Sequence, residues 1–277
     1  MRLKGLIKDP MAFIGLILIL LILGVALLAP WITPKDPIQM DANYRLEKPS
    51  LSYPLGTDHL GRCILSRIMH GARASLSISF LVLVIIMSIG VLVGSIAGYV
   101  GGKVDDIIVS MIDMLLAFPE MILALVIAGM LGPSIRNVMI AMASVQWVRY
   151  ARILRGMIAS VKEKDYVLAA RTGGCKHFPL IFRHILPNVL SPVIVLATLD
   201  MGSTILAISG LSFLGLGAQP PNPEWGAMLN DGRPYMYIAP WIMIFPGLAI
   251  LITVLAFNLI GDGLRDILDP REIQKTS

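Results

Sequence analysis

A chain of 277 residues that is 56% hydrophobic and only 15% charged, with a mean hydropathy of +0.77, is excluded from the ordinary soluble domains and is membrane-embedded. The formal charge of +5 does not point to nucleic acid, because the basic residues sit in loops between apolar runs, where they set membrane orientation. Cys63 and Cys175 lie far apart and form no Cys-x-x-Cys pattern, which removes a disulfide framework and a thiolate metal site from consideration.

The N-terminal MRLKGLIKD places Arg2, Lys4 and Lys8 ahead of a continuous apolar run from Met11 to Leu28. The run is too long for the hydrophobic region of a signal peptide and is followed by Pro30, Trp31 and Pro34 rather than small residues, so it reads as a retained first helix. Further apolar runs cover Leu76 to Val100, Ile107 to Leu131, Asn137 to Ile153, Val189 to Phe213 and Ile238 to Ile260, each near the ~20 residues a bilayer requires. No alternating strand pattern is present, and backbone groups in lipid must be satisfied within a helix or a closed barrel. The expected fold is therefore an all-α membrane protein with six transmembrane helices. Its parts are an N-terminus over 1–10, a first span over 11–30, an external segment over 31–75, a five-helix core over 76–265 and a tail over 266–277.

The positive-inside rule places both termini in the cytoplasm, along with the loop after the fourth span. Between Arg149 and Arg183 that loop carries eight basic residues, Arg149, Arg152, Arg155, Lys162, Lys164, Arg171, Lys176 and Arg183, against Glu163 and Asp165. Within it, DYVLAARTGGCKHFPLIFRHILPN reads as a short helix around Ala169 and Ala170, a break at Gly173 and Gly174, and a second helix opening near Pro179 and ending at Pro187. Phe178, Ile181, Phe182 and Ile185 fall at helical spacing on one apolar face, with Arg183 and His184 pointing elsewhere. Such a face is covered either by the membrane surface or by a protein partner.

Gly90, Gly94 and Gly98 form a double small-x-x-x-small run on the second span, suited first to packing within the bundle and second to a seam with another membrane-embedded chain. Asp113, Glu120 and Asp200 lie inside apolar runs, where a charge costs ~2.5–3.5 kcal/mol, so they face protein or water. They are candidates either for lining a path or for buried hydrogen bonds, and Pro119 is placed to bend the helix between the first two. His59, His70, His177 and His184 fall in predicted loops without a catalytic context, and the sixteen methionines show no ligand spacing. No phosphate-cradling loop is present, since GGKVDD at 101–106 has the wrong spacing and no hydroxyl after Lys103. A membrane-embedded enzyme lacks its catalytic set, and a passive channel has no use for a basic docking loop.

The stretch DYVLAARTGGCKHFPLIFRHILPN resembles the EAA loop of ABC importer permeases at Ala169, Ala170, Gly174, Ile185, Leu186 and Pro187; where that motif has Glu, this chain has Leu168. YPLGTDHLGRCILSRIMHGARASL and LSFLGLGAQPPNPEWGAMLNDGRPYM are similar to segments of the second permease of dipeptide, oligopeptide and nickel importers. The resemblance implies a multi-pass subunit of the bacterial inner membrane that forms half of a path with a second permease. It implies two ATPase subunits, which hold ATP and Mg and dock on the loop over 156–188, and an extracytoplasmic solute-binding protein. No cofactor and no metal is expected in this chain. The three acids and the ATLDMG run lean toward nickel or a nickel chelate, whereas LGAQPPNPEWG is equally similar to dipeptide permeases. GTDHLGR is expected to be an extracytoplasmic surface element, either touching the binding protein or simply packed as a loop.

Overall fold

A computed structural model describes residues 9–268, so the basic N-terminal residues and most of the expected tail lie outside the described residues. Helix α1 spans Pro10–Ile32; Asp9 caps it by accepting from the Met11 amide at 3.0 Å, and Pro10 occupies the first turn, where its missing N–H costs nothing. Leu20, Leu21 and Leu27 are exposed along it, a face suited to lipid tails. Helix α2 spans Ile64–Val100 and so begins well before the expected Leu76. The intervening Arg67 and Ser66 are buried within this longer helix, because neighbouring acids take up the charge and let the helix continue.

The third apolar run is two helices, α3 (Gly102–Leu116) and α4 (Glu120–Leu131), meeting at 84°. Pro119 causes the break, since it has no amide to donate and disfavours helical geometry at Phe118. Helix α5 spans Ile135–Lys162, which places Arg149, Arg152, Arg155 and Lys162 on a helix instead of in the expected basic loop. Its buried positions, among them Val138, Ala141, Val145, Val148, Leu154 and Ile158, recur every three or four residues and put it at the centre of the bundle. The chain continues through α6 (Asp165–Thr172), α7 (His177–Pro179) and a wide π-turn (Leu180–Ile185) directly into α8 (Leu186–Phe213).

Pro187 therefore does not end a helix, contrary to the expectation from sequence. The π-turn opens the backbone just ahead of it, the Leu186 amide reaches back to the Ile181 carbonyl, and Asn188 Nδ2 donates to the His184 carbonyl at 2.7 Å. Helices α9 (Trp225–Gly232) and α10 (Trp241–Leu268) complete the bundle. Among the described residues there is no strand, only an isolated bridge between Thr57 and Cys63. Four helical segments are long and apolar enough to cross a membrane, Pro10–Ile32, Ile64–Val100, Pro192–Phe213 and Trp241–Asp266, and the bent α3/α4 pair makes a fifth.

Lipid tails are as apolar as leucine, so close van der Waals contact, rather than escape from water, holds helices together in a bilayer. Gly90, Gly94 and Gly98 present a smooth face of α2 to α5. A Cβ on Gly94 would stand 2.6 Å from the Ala151 carbonyl oxygen, and one on Gly98 would stand 2.6 Å from the Arg155 carbonyl oxygen. These glycines thus pack within the chain.

Candidate functional site: a basic hairpin and a charged cavity

Helix α6, the turn after it and α7 form a hairpin. Gly173 caps α6 and Gly174 turns the chain with φ of +84°, a conformation that disfavours side chains, although a Cβ there would meet nothing within 4 Å. The hairpin is seated by Val167, Leu180 and Ile185, all buried, with Ala170 packed partly against the same core. Exposed on it are Tyr166, Leu168, Ala169, Phe178, Phe182, Arg183 and Pro187. Phe178 and Phe182 stack with centroids 5.0 Å apart. The four-residue apolar face expected from helical spacing is split. One extra residue in the π-turn rotates the rest of the helix by about 100°, so Ile185 points inward while Phe178 and Phe182 face out. Ile181 and Leu186 lie between these extremes, lining an apolar groove with Val84, Met87 and Val91 of α2.

The three acids of the apolar runs do not converge. Asp113 pairs with Arg152, both half exposed. Asp200 pairs with Arg149 and accepts from the Tyr150 hydroxyl at 2.7 Å. Asp105, which sequence reasoning did not single out, accepts from Arg155 Nε at 2.7 Å and Nη2 at 2.6 Å. The arginines stand three residues apart on α5 and each answers an acid on another helix. An intramembrane acid calls for a named partner, and that requirement could have identified these arginines from sequence.

Glu120 opens α4 beside Asp200 in a cavity of about 210 Å³, lined also by Gln146, Arg149, Tyr150, Ser203 and Thr204. The cavity thus holds two carboxylates and one guanidinium with hydroxyl and amide groups between them. It can take a ligand carrying both charges, while no cluster of acids or histidines suited to a metal ion occurs among the described residues.

The GTDHLGR segment is a packed loop, the second of the two alternatives, and not an exposed surface element. Gly56 and Gly61, both at φ of +78°, fold it back so that Thr57, Asp58 and Arg62 are buried. Asp58 accepts from Arg62 Nε at 2.6 Å and from the amides of Leu60 and Arg62, and Arg62 and Arg67 both reach Asp231. The cluster ties the segment before α2 to α9. His59 stacks on Tyr235 with centroids 5.2 Å apart, and burial pushes its imidazole below the usual histidine range. His70 lies within α2, not in a loop, with Nε2 3.5 Å from the Thr33 hydroxyl.

A helical bundle with a basic hairpin and a polar cavity among its spans defines a membrane transport subunit. Residues 90–274 match the family described as "Binding-protein-dependent transport system inner membrane component", and residues 2–49 match the "N-terminal TM domain of oligopeptide transport permease C". The chain is 44% identical over 268 residues to the dipeptide transport system permease protein DppC of Alkalihalophilus pseudofirmus, covering 97% of this chain and 88% of that protein. It is 43% identical over 257 residues to the nickel transport system permease protein NikC of Escherichia coli K12, covering 93% of each. The fold is similar to that of a chain of the MetNI methionine ABC transporter in an inward-facing conformation, with a TM-score of 0.60 at 15% identity, covering 74% of this chain and 97% of that one. The chain belongs to the family of binding-protein-dependent inner membrane components, the non-catalytic permeases of ABC transporters. It is a multi-pass membrane protein of peptide- and nickel-importer kinship.

Proposed function

We propose that this chain forms half of the translocation path of an ATP-driven importer of di- or oligopeptides. In this reading it has six spans: the four long apolar helices, the bent α3/α4 pair, and α5 shielded at the bundle centre. Both termini are cytoplasmic. Lys162, Lys164, Arg171, Lys176 and Arg183 cluster at the hairpin, as the positive-inside rule requires of a cytoplasmic face. The exposed Tyr166, Leu168, Phe178 and Phe182 dock the hairpin on an ATPase subunit, two of which supply ATP hydrolysis with their own Mg. A second permease completes the cavity, and an extracytoplasmic binding protein delivers the cargo.

The observation that carries the choice of cargo is the mixed charge of the cavity. Arg149, paired with Asp200 through one Nη, keeps further N–H donors for a carboxylate, and Glu120 offers an acceptor to an ammonium, an arrangement matching the dipolar ends of a peptide. Asp113, paired with Arg152 elsewhere, does not add to a bare cation path. Nickel held by a carboxylate-bearing chelator is the second reading, favoured by the nickel permease among the relatives. Uptake of a labelled dipeptide and of labelled nickel, in cells with and without the gene, tests the choice. Selective loss of dipeptide uptake supports the peptide reading, and selective loss of nickel uptake replaces it with the second.

A further inference from the structure

Three elements meet at one side chain at the inner end of the bundle. Tyr99, in the last turn of α2, holds its hydroxyl 2.5 Å from Nδ1 of His177, the first residue of α7, and the two rings meet edge to face with centroids 5.8 Å apart. Lys162, the last residue of α5, donates from Nζ to the Tyr99 carbonyl oxygen at 2.9 Å, with its ammonium 5.9 Å from the Tyr99 ring centroid. A cation is favoured there, because the last carbonyls of a helix lack partners and carry the negative end of its dipole.

Among the described residues, and apart from the bond that Asn188 of the following helix donates to the His184 carbonyl, the Tyr99–His177 contact is the sole side-chain hydrogen bond between the segment 165–185 and another element. The bonds of Thr172 close on Leu168 and Ala169 within α6. The remaining seating of the hairpin is apolar, through Val167, Leu180 and Ile185. Apolar contacts are non-directional and tolerate sliding, whereas a hydrogen bond fixes direction and register. On its far side Tyr99 belongs to a helix whose Leu83 lines the charged cavity. The glycine face of that helix is in contact with α5, which carries Gln146, Arg149 and Tyr150.

We infer that Tyr99 and His177 form a latch that makes α2 and α5 follow the hairpin, so that displacement of the hairpin reaches the cavity wall. They are positioning residues for transport, and this role rests on the ATPase-docking role proposed for the hairpin. Without the latch the hairpin still docks and ATP is still hydrolysed, but part of its movement is lost as slip.

The test uses the complete transporter, reconstituted with its partner subunits and binding protein, and reads substrate imported per ATP hydrolysed. A hydrogen bond shifts a conformational equilibrium by roughly two- to tenfold, so Tyr99→Phe and His177→Ala should each lower that ratio by about this factor. Assembly and hydrolysis should be retained. The double variant should be no worse than either single one, because both remove the same contact. His177→Asn, which keeps a polar atom near the Nδ1 position, should recover much of the ratio. Gly174→Val serves as the reference for hairpin coupling. An unchanged ratio in Tyr99→Phe and His177→Ala with a lowered one in Gly174→Val overturns the latch alone. An unchanged ratio in all three overturns the docking role and the latch with it.

Discussion

Replacing Gly94 with alanine tests the α2–α5 seam against a built-in control. The added Cβ would stand 2.6 Å from the Ala151 carbonyl oxygen and 2.9 Å from Leu154 Cβ, and the first of these is backbone that cannot rotate away. The helices must separate by about 0.5–1 Å, which forfeits a quarter to a half of the dispersion well for the atoms along the seam. Overpacking of this kind costs about 1–3 kcal/mol, against at most ~1 kcal/mol gained from the better helix propensity of alanine. Gly129, in α4, has nothing within 4 Å of its absent Cβ, so the same substitution there keeps the propensity gain and meets no clash. With a midpoint shift of about 2–4 °C per kcal/mol in a protein of this size, Gly94→Ala should lower the thermal midpoint by several degrees and Gly129→Ala should raise it slightly. The purified protein is melted in one detergent and monitored by circular dichroism. Equal shifts of the same sign would refute the seam as a close-packed contact.

Asp58→Asn should destabilise the protein by about 3 kcal/mol, because the amide still accepts from the backbone but leaves the buried Arg62 and Arg67 with the more distant Asp231 as their remaining carboxylate. Denaturant unfolding measures it, and a loss under about 1 kcal/mol would be the value of a surface pair and would contradict the buried network. His59 gives a pH dependence of definite sign. Its folded-state affinity for protons is reduced by burial, with Arg62 and Arg67 opposing protonation while Asp58 and Asp231 favour it. The unfolded chain therefore takes up the proton first, and stability falls as pH drops below about 6.5, with no contribution above it. His59→Gln should flatten that part of the pH profile of the thermal midpoint; the same acid slope in both proteins would exclude His59 as its source. Arg149→Gln should raise the KM for a dipeptide roughly tenfold or more, the worth of a charge-assisted bond, and should erase discrimination against the peptide's C-terminal amide. Retained discrimination would remove Arg149 from cargo contact.

The apolar runs make the helical class and most spans legible, because a bilayer demands length and hydrophobicity that no loop supplies. The departures at the charged residues share one cause. Arg67, Arg149, Arg152 and Arg155 read as loop residues because charge in an apolar protein suggests water, yet each is answered by an acid from a distant part of the chain. Those pairings depend on tertiary contact, so sequence alone makes α2 and α5 too short and groups the acids together as a cation path. Pro187 misleads for a local reason: a π-turn can absorb a proline that a regular helix cannot, and the apolar periodicity carries no sign of the extra residue. Gly174 is legible because a glycine pair between two short helical stretches has few other uses, and its positive φ agrees with that placement.

The hairpin is held here to convert ATP hydrolysis on a partner into transport through this subunit, and Gly174 is the place to test it. Open space around its Cβ position means that a substitution acts through backbone strain alone. Valine resists a φ of +84°, whereas asparagine tolerates it. ATP-driven dipeptide uptake should be measured in proteoliposomes of the assembled transporter carrying each variant, with assembly checked by co-purification of the ATPase subunits. Coupling through the hairpin predicts that Gly174→Val loses most uptake and Gly174→Asn keeps most of it. Full uptake in Gly174→Val, with the ATPase subunits still bound, would contradict it.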